Sequence, residues 1–492
     1  MNKYRFLLSL ISALVLAFSN AALADVKPKD SISGYDKLSQ MAQAMGGLKN
    51  ILNLKTIEFN ATGSRFEPEQ AYKPGGEFIQ IVDFQYTQIK SLVKQQSRTE
   101  WTNKDLFVFP GIKEYTEIVN GDHGAILGVA LIGGPPQMPM SSTRLGAHIK
   151  QNVVSSPLAL IHRAKQNSDQ VKYLGNAEYN GRKQHVISIS GWNQLIRVFI
   201  DSDSNLPTKV ETLEDDTIYG DTIWEISFSD WIETNGIKVP TTLIHRINSR
   251  VINVEHRSSF NLTVTADPQL FAIPAELMID FNLEQFAWGV RSSQWFNRFL
   301  PVGIPFDLDQ RTSATLEIIE VAPKVFFATA PTHNSMIIEM ADYLIVTEAP
   351  LYEERSQVVI NAIKQRWPAK PVKYLVVTHF HNDHIGGIRA YGAIGATLIV
   401  GSQTKDHYEA IFKAPHTIHP DSYANLPVDV TIKEVESGDD FILNDGNRKV
   451  RILDVPNIHA IGSLVPFVED VNLVFTSDLY SPGFFTTTIP EP

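Results

Sequence analysis

The 492-residue sequence contains no cysteine, which excludes a disulfide framework, a thiolate metal site and a lipid-modified N-terminal Cys. Any metal must therefore rest on histidine and carboxylate. Apolar runs of spanning length are missing as well. Phe6 to Phe18 is too short for a membrane helix, which needs roughly 20 residues, and no second such run follows. Positive charge is in deficit, with 43 Lys and Arg against 54 Asp and Glu and a net charge of −11. Nucleic acid is thus not expected as a partner, because phosphate binding depends on clustered cations. Internal repeats and low-complexity tracts are absent too.

What remains reads as packed globular protein, at 43% hydrophobic and 20% charged residues. The length exceeds what one core can serve and suits two unequal domains. Residues 1–24 form a signal peptide by pattern: Lys3 and Arg5, then the short apolar run, then Ala22-Leu23-Ala24 before Asp25. The mature protein is expected in the periplasm or secreted, cut after Ala24. Residues 25–265 read as a mainly antiparallel β domain, with runs such as His185 to Ser190, Ile196 to Ile200 and Ile223 to Phe228. Asn180-Gly181 and Asn235-Gly236 mark hairpins, since both residue types accept positive φ. Gly133 to Met140 reads as a loop or flap. A Phe- and Trp-containing connector covers 266–311. In 312–492, strands and helices alternate: Val325 to Ala330, Ser335 to Met340, Tyr343 to Thr347, the helix Glu353 to Trp367, and the strand Lys373 to Thr378.

Eight of the 14 histidines lie between His333 and His459. Three fall in Thr378 to Gly387, Thr-His-Phe-His-Asn-Asp-His-Ile-Gly-Gly. His379 and His381 leave the end of an apolar strand on one side by its period of two, while Asp383 and His384 sit where the chain turns toward a helix. Two donors can then face one ion and two another. Imidazole with carboxylate suits Zn²⁺, Fe or Mn. Gly386 and Gly387 are read as letting the backbone turn tightly beside the metals.

This motif resembles that of the metallo-β-lactamase superfamily, and the resemblance covers about 312–492. It implies an αββα sandwich. Asn457-Ile458-His459-Ala460 and Phe475-Thr476-Ser477-Asp478 fit the family's later motifs. By that resemblance His379, His381 and His459 hold one metal, Asp383 and His384 the second, and Asp478 bridges them. Glu348 stands where the family usually has a supporting Asp, and His333 resembles a substrate-contacting or supporting position. The family commonly adds a last His to the second metal, and none follows Asp478 up to Pro492. The expectation is a longer chain, or a second site that is weaker or completed by water. His416 and His419 are read as substrate contacts or exposed loop residues, with a second small metal site as the alternative.

The resemblance implies a hydrolase with about two Zn²⁺ per chain, Fe or Mn being alternatives. A metal-bridging hydroxide would attack an ester, thioester, lactone or lactam bond of a small-molecule substrate, with Asp383 and Asp478 as catalytic carboxylates. The rival reading is a non-catalytic periplasmic binding or assembly protein with a partial metal site. In that reading the N-terminal domain, similar to the curved sheets of periplasmic lipoprotein carriers, holds an apolar ligand.

Overall fold

The structure is a computed structural model that describes residues 33–480 apart from 108–109, 131–134, 299–315, 330–332 and 427–428. The expected signal peptide, residues 1–24, lies outside the described residues, as do Gly133, Gly134 and the end of the expected connector. No helix among the described residues is long and apolar enough to cross a membrane.

The N-terminal half is one thirteen-stranded antiparallel sheet. Its strands follow chain order outward from the centre, where the first, Thr56–Glu67, pairs with the last, Arg250–Asn261. The two Asn-Gly hairpins form as expected, with Asn180 at φ 51° and Asn235 at φ 52°. Two departures stand out. Gln137–Pro139, read as flap, is a short edge strand pairing with His123–Gly128. Helices Ser142–Val154 and Pro157–Gln166 interrupt the strands, capped by the Ser141 and Ser156 side chains. Leu145, Ile149, Leu158 and Ile161 on these helices join Phe59, Ile81, Ile187 and Leu243 in one core.

That interior also carries buried ion pairs. The Glu117 carboxylate takes Arg144, His148 (2.9 Å) and the Trp101 indole N–H (2.8 Å). Lys150 meets Glu214 at 2.7 Å, and Arg257 meets Glu255 at 2.5 Å. Charges buried this deeply must be paired, because removing either partner leaves an uncompensated ion.

Four short helices, from Pro268–Phe271 to Trp295–Arg298, lead to the C-terminal region. There a seven-stranded sheet runs from Glu317–Ala322 to Ile432–Val435, antiparallel in its first four strands and parallel thereafter. The period of two sorts its side chains. Leu375 and Val377 pack under the helices with Val359, Ile363 and Ile388. Val376 instead faces a four-stranded antiparallel sheet, meeting Leu443, Val450, Ile452 and Leu464. Each fully buried aliphatic side chain contributes about 1.5–3 kcal/mol. Among the described residues no α-helix follows Val435.

Candidate metal centre

The parallel strand Val372–Val376 delivers the His-rich loop at its carboxyl end, and the one-turn helix Asn382–Ile385 presents Asp383 and His384 from the next bend. The two later loops bring His459 and Asp478 to the same place. The donor atoms of His379, His381, His459 and Asp478 lie within 4.8 Å of one another, and so do those of His333, Asp383 and His384. His459 Nε2 is 3.3 Å from His379 Nε2 and 3.5 Å from Asp478 Oδ2. On the other side of that carboxylate, His384 Nε2 is 3.2 Å from Asp478 Oδ1 and 3.4 Å from Asp383 Oδ2. His333 Nε2 is 3.1 Å from Asp383 Oδ2. A tetrahedral ion with 2.0–2.1 Å bonds has donor-to-donor edges of about 3.3 Å.

Imidazole orientation is fixed from behind. His384 Nδ1 donates to Glu348 Oε1 at 2.9 Å, and the same oxygen accepts from Thr378 Oγ1 at 2.8 Å and from Ser477 Oγ. Glu348 thus meets His384 on the edge turned away from Asp383 and Asp478. His381 Nε2 donates to the Ala71 carbonyl at 3.0 Å, which leaves Nδ1 as the lone-pair nitrogen. His381 Nδ1 and His384 Nε2 are buried and make no hydrogen bond. Two orphaned ring nitrogens facing carboxylates and other imidazoles fit a cation, and the all-N/O donor set fits Zn²⁺, Fe or Mn.

Electrostatics agree with that fit at His379, His381 and the two carboxylates, while His384, without an ion beside it, is the donor that favours a proton. Burial, reinforced by the neighbouring histidines, pushes His379 well below its ordinary value and His381 down to about 4, so both are neutral ligands at pH 7. Burial would also depress His384, but Asp478, Glu348 and Asp383 hold it well above. Burial opposes ionisation of Asp383 and Asp478, yet His384 keeps both below the usual carboxylate range. The backbone is strained around these groups: His333, Glu348, Leu351 and Ser477 have φ of 54°, 68°, 69° and 48°. Left-handed conformations cost about 1–2 kcal/mol per non-glycine residue and collect at functional sites. His333 is held there by Arg355, which donates to its carbonyl at 3.1 Å.

The glycines work differently from expectation. Gly386 and Gly387 have φ of −58° and −105°, open to any residue. Their reason is proximity: a Cβ on Gly386 would lie 1.7 Å from the Leu351 carbonyl oxygen, and on Gly387 2.1 Å from Ser356 Oγ. His416 stays apart from the centre, its Nδ1 3.6 Å from Asp215 and 3.9 Å from Asp421. Neither His416 nor His419 joins a three-donor group among the described residues.

Sequence reasoning missed the contribution of the N-terminal half. Gln70 Nε2 donates to Asp383 Oδ1 at 2.9 Å, and Asn382 Nδ2 donates to Glu67 Oε1 and the Pro68 carbonyl, both at 3.0 Å. No local signal marks Gln70 or Ala71, more than 300 residues from the atoms they touch.

A helix-covered mixed sheet packed on a second sheet, with a His and Asp cluster at its loop ends, defines an α/β domain with a candidate metal site. Residues 329–489, about a third of the chain, match the family model described as the metallo-beta-lactamase superfamily. Among solved structures, the chain is similar to the LolA superfamily protein NE2245 from Nitrosomonas europaea. Identity is 12% and the TM-score 0.33, over 49% of this chain and 99% of that one. It is similar to the metallo-beta-lactamase SMB-1 in complex with mercaptoacetic acid at 22% identity and TM-score 0.25, over 32% of this chain and 59% of that one. For BJP-1, a subclass B3 metallo-beta-lactamase of Bradyrhizobium japonicum, the values are 18% and 0.26, over 34% and 62%. The chain thus spans about three fifths of these lactamases' length. Comparison with curated proteins gives no match.

Proposed function

We propose that the protein is an exported, dinuclear metal-dependent hydrolase of a small-molecule ester, thioester, lactone or lactam. The observation that carries this reading is the Asp478 carboxylate, whose two oxygens face two separate donor groups. His379, His381 and His459 would hold one ion with Asp478 Oδ2, and His333, Asp383 and His384 the other with Oδ1. The donor count of the second group then matches the first. Bound divalent ions would supply Lewis acidity and bring a coordinated water's pKa toward neutrality. The chain's own part is to keep His379 and His381 neutral and all the donors aimed. Glu348 holds His384, the Ala71 carbonyl holds His381, and Gln70 holds Asp383. Asp478 and His459 are the exposed members, at 40% and 27% side-chain exposure, so substrate would approach from their side. The facing sheets with helices on one outer side suit three layers of an αββα sandwich.

The rival apolar-carrier reading finds little support. Helix Ser142–Val154 packs into the N-terminal core, and the charged pairs of Glu117, Glu214 and Glu255 lie where a lipid would need apolar walls.

Protein isolated from the cell envelope, sequenced at its N-terminus and analysed for metal, tests the proposal alongside a hydrolysis screen. Expected are a start at Asp25, about two Zn, Fe or Mn per chain and turnover of at least one of the four bond types. A cytoplasmic protein starting at Met1 would end the export claim. Less than half an equivalent of metal with no turnover would end the hydrolase.

A further inference from the structure

The first N-terminal strand ends at Glu67, and the residues after it leave the sheet to reach the metal centre. They touch the His-rich loop and the loop of His459. The Ala71 carbonyl accepts from His381, Gln70 donates to Asp383, Glu67 and Pro68 accept from Asn382, and the Tyr72 carbonyl accepts from Ile461 N at 2.8 Å, two residues beyond His459. Glu67, Glu69 and Gln70 are buried. These contacts come from one short stretch and reach both donor groups.

We infer that residues 67–72 of the N-terminal domain are a structural part of the metal centre, in which Gln70 positions Asp383 for the second ion and the Ala71 carbonyl selects the metal-binding tautomer of His381. The inference rests on the dinuclear reading above. Its physical basis is that a ligand rotates out of line unless its remaining atoms are held. Asp383 Oδ2 points at His333 and His384 only while Oδ1 is occupied, and Gln70 Nε2 occupies it. Partners of this kind are worth about 10- to 100-fold in metal affinity. The N-terminal domain is thereby an obligate component of the site, and each ion senses a domain that contributes none of its ligands.

The test uses the full chain with Gln70→Met, which keeps length and volume but removes the donor, and Gln70→Asn, which withdraws it by one methylene. Metal-free protein is titrated with Co²⁺, with visible absorption and calorimetry read together. The expected result is a second equivalent weakened about 10- to 100-fold with an altered absorption band. The first equivalent should stay as in the parent, and the metal-free protein should still melt cooperatively, at a somewhat lower temperature. Second-equivalent affinity within twofold of the parent in a folded Gln70→Met protein overturns the inference. Should Gln70→Met fail to melt cooperatively, the same criterion applies to Gln70→Asn. If the parent chain itself binds no Co²⁺, the dinuclear reading falls first, and this inference with it.

Discussion

At the scale of single residues, what the sequence reveals depends on distance along the chain. His379, His381, Asp383 and His384 are legible because their chemistry is packed into six positions, and His459 and Asp478 because each follows a strand in a fixed order. Gln70 and Ala71 are not, since nothing in Glu-Gln-Ala-Tyr hints at a metal. His333 stands between: its residue type is suggestive, but only its left-handed backbone and the Arg355 anchor aim it at Asp383. A residue-scale prediction follows. His333→Ala should leave the first metal equivalent intact and weaken the second at least tenfold, about 1.4 kcal/mol. His381→Ala should lose the first instead. Elemental analysis after exhaustive dialysis separates the two, and full double occupancy in His333→Ala would remove His333 from the donor set.

At the scale of elements, strands announced by Asn-Gly turns were readable, whereas helix Ser142–Val154 was not. Ten of its residues are buried, Arg144, His148 and Lys150 among them, so no apolar stripe alternates with a polar face to give the period of 3.6. The signals that did exist were local: Ser141 as N-cap, and Ser156 followed by Pro157 at the start of the next helix. The turn from the His-rich loop into its helix shows a second limit. The need for glycine was legible, but its cause lay in Leu351, a residue of another loop. Gly386→Ala pushes a methyl into a backbone carbonyl that cannot step aside, and should cost about 1–3 kcal/mol. Gly387→Ala meets the Ser356 hydroxyl, which can rotate, and comes within 2.9 Å of the Ser356 Cβ and the Tyr352 carbonyl oxygen, a milder overlap than at Gly386 that should cost less. Chemical denaturation of the two variants checks the order, and equal stabilities would refute the steric account.

At the scale of the whole molecule, burial sets the response to acid. His245 in the N-terminal core and His407, whose ring is tucked in from the helix Lys405–Lys413, are both pushed down to about 4, chiefly by burial. Unfolded histidine titrates near 6.5, so between that value and about 4 the unfolded chain takes up protons that the native state refuses. Stability therefore falls as pH drops through this window, by roughly 1.4 kcal/mol per pH unit for each such residue. Between pH 7 and 5, the parent should lose about 2 kcal/mol more than His245→Leu. Urea melts at the two pH values measure this, and parallel losses would mean that His245 titrates normally.

The pairing of the first strand with the last also sets an order of assembly. Ser64 finds Val254 across the central ladder, so the middle of the large sheet closes only after nearly all of the N-terminal half has been made. Such long-range closure is slow compared with hairpin or helix formation. The strand that waits for it is the one that ends at Glu67 and carries Gln70 and Ala71 toward the ligands. Metal capture at full strength should therefore be the last event in folding, because no partly made chain holds the complete set of supports.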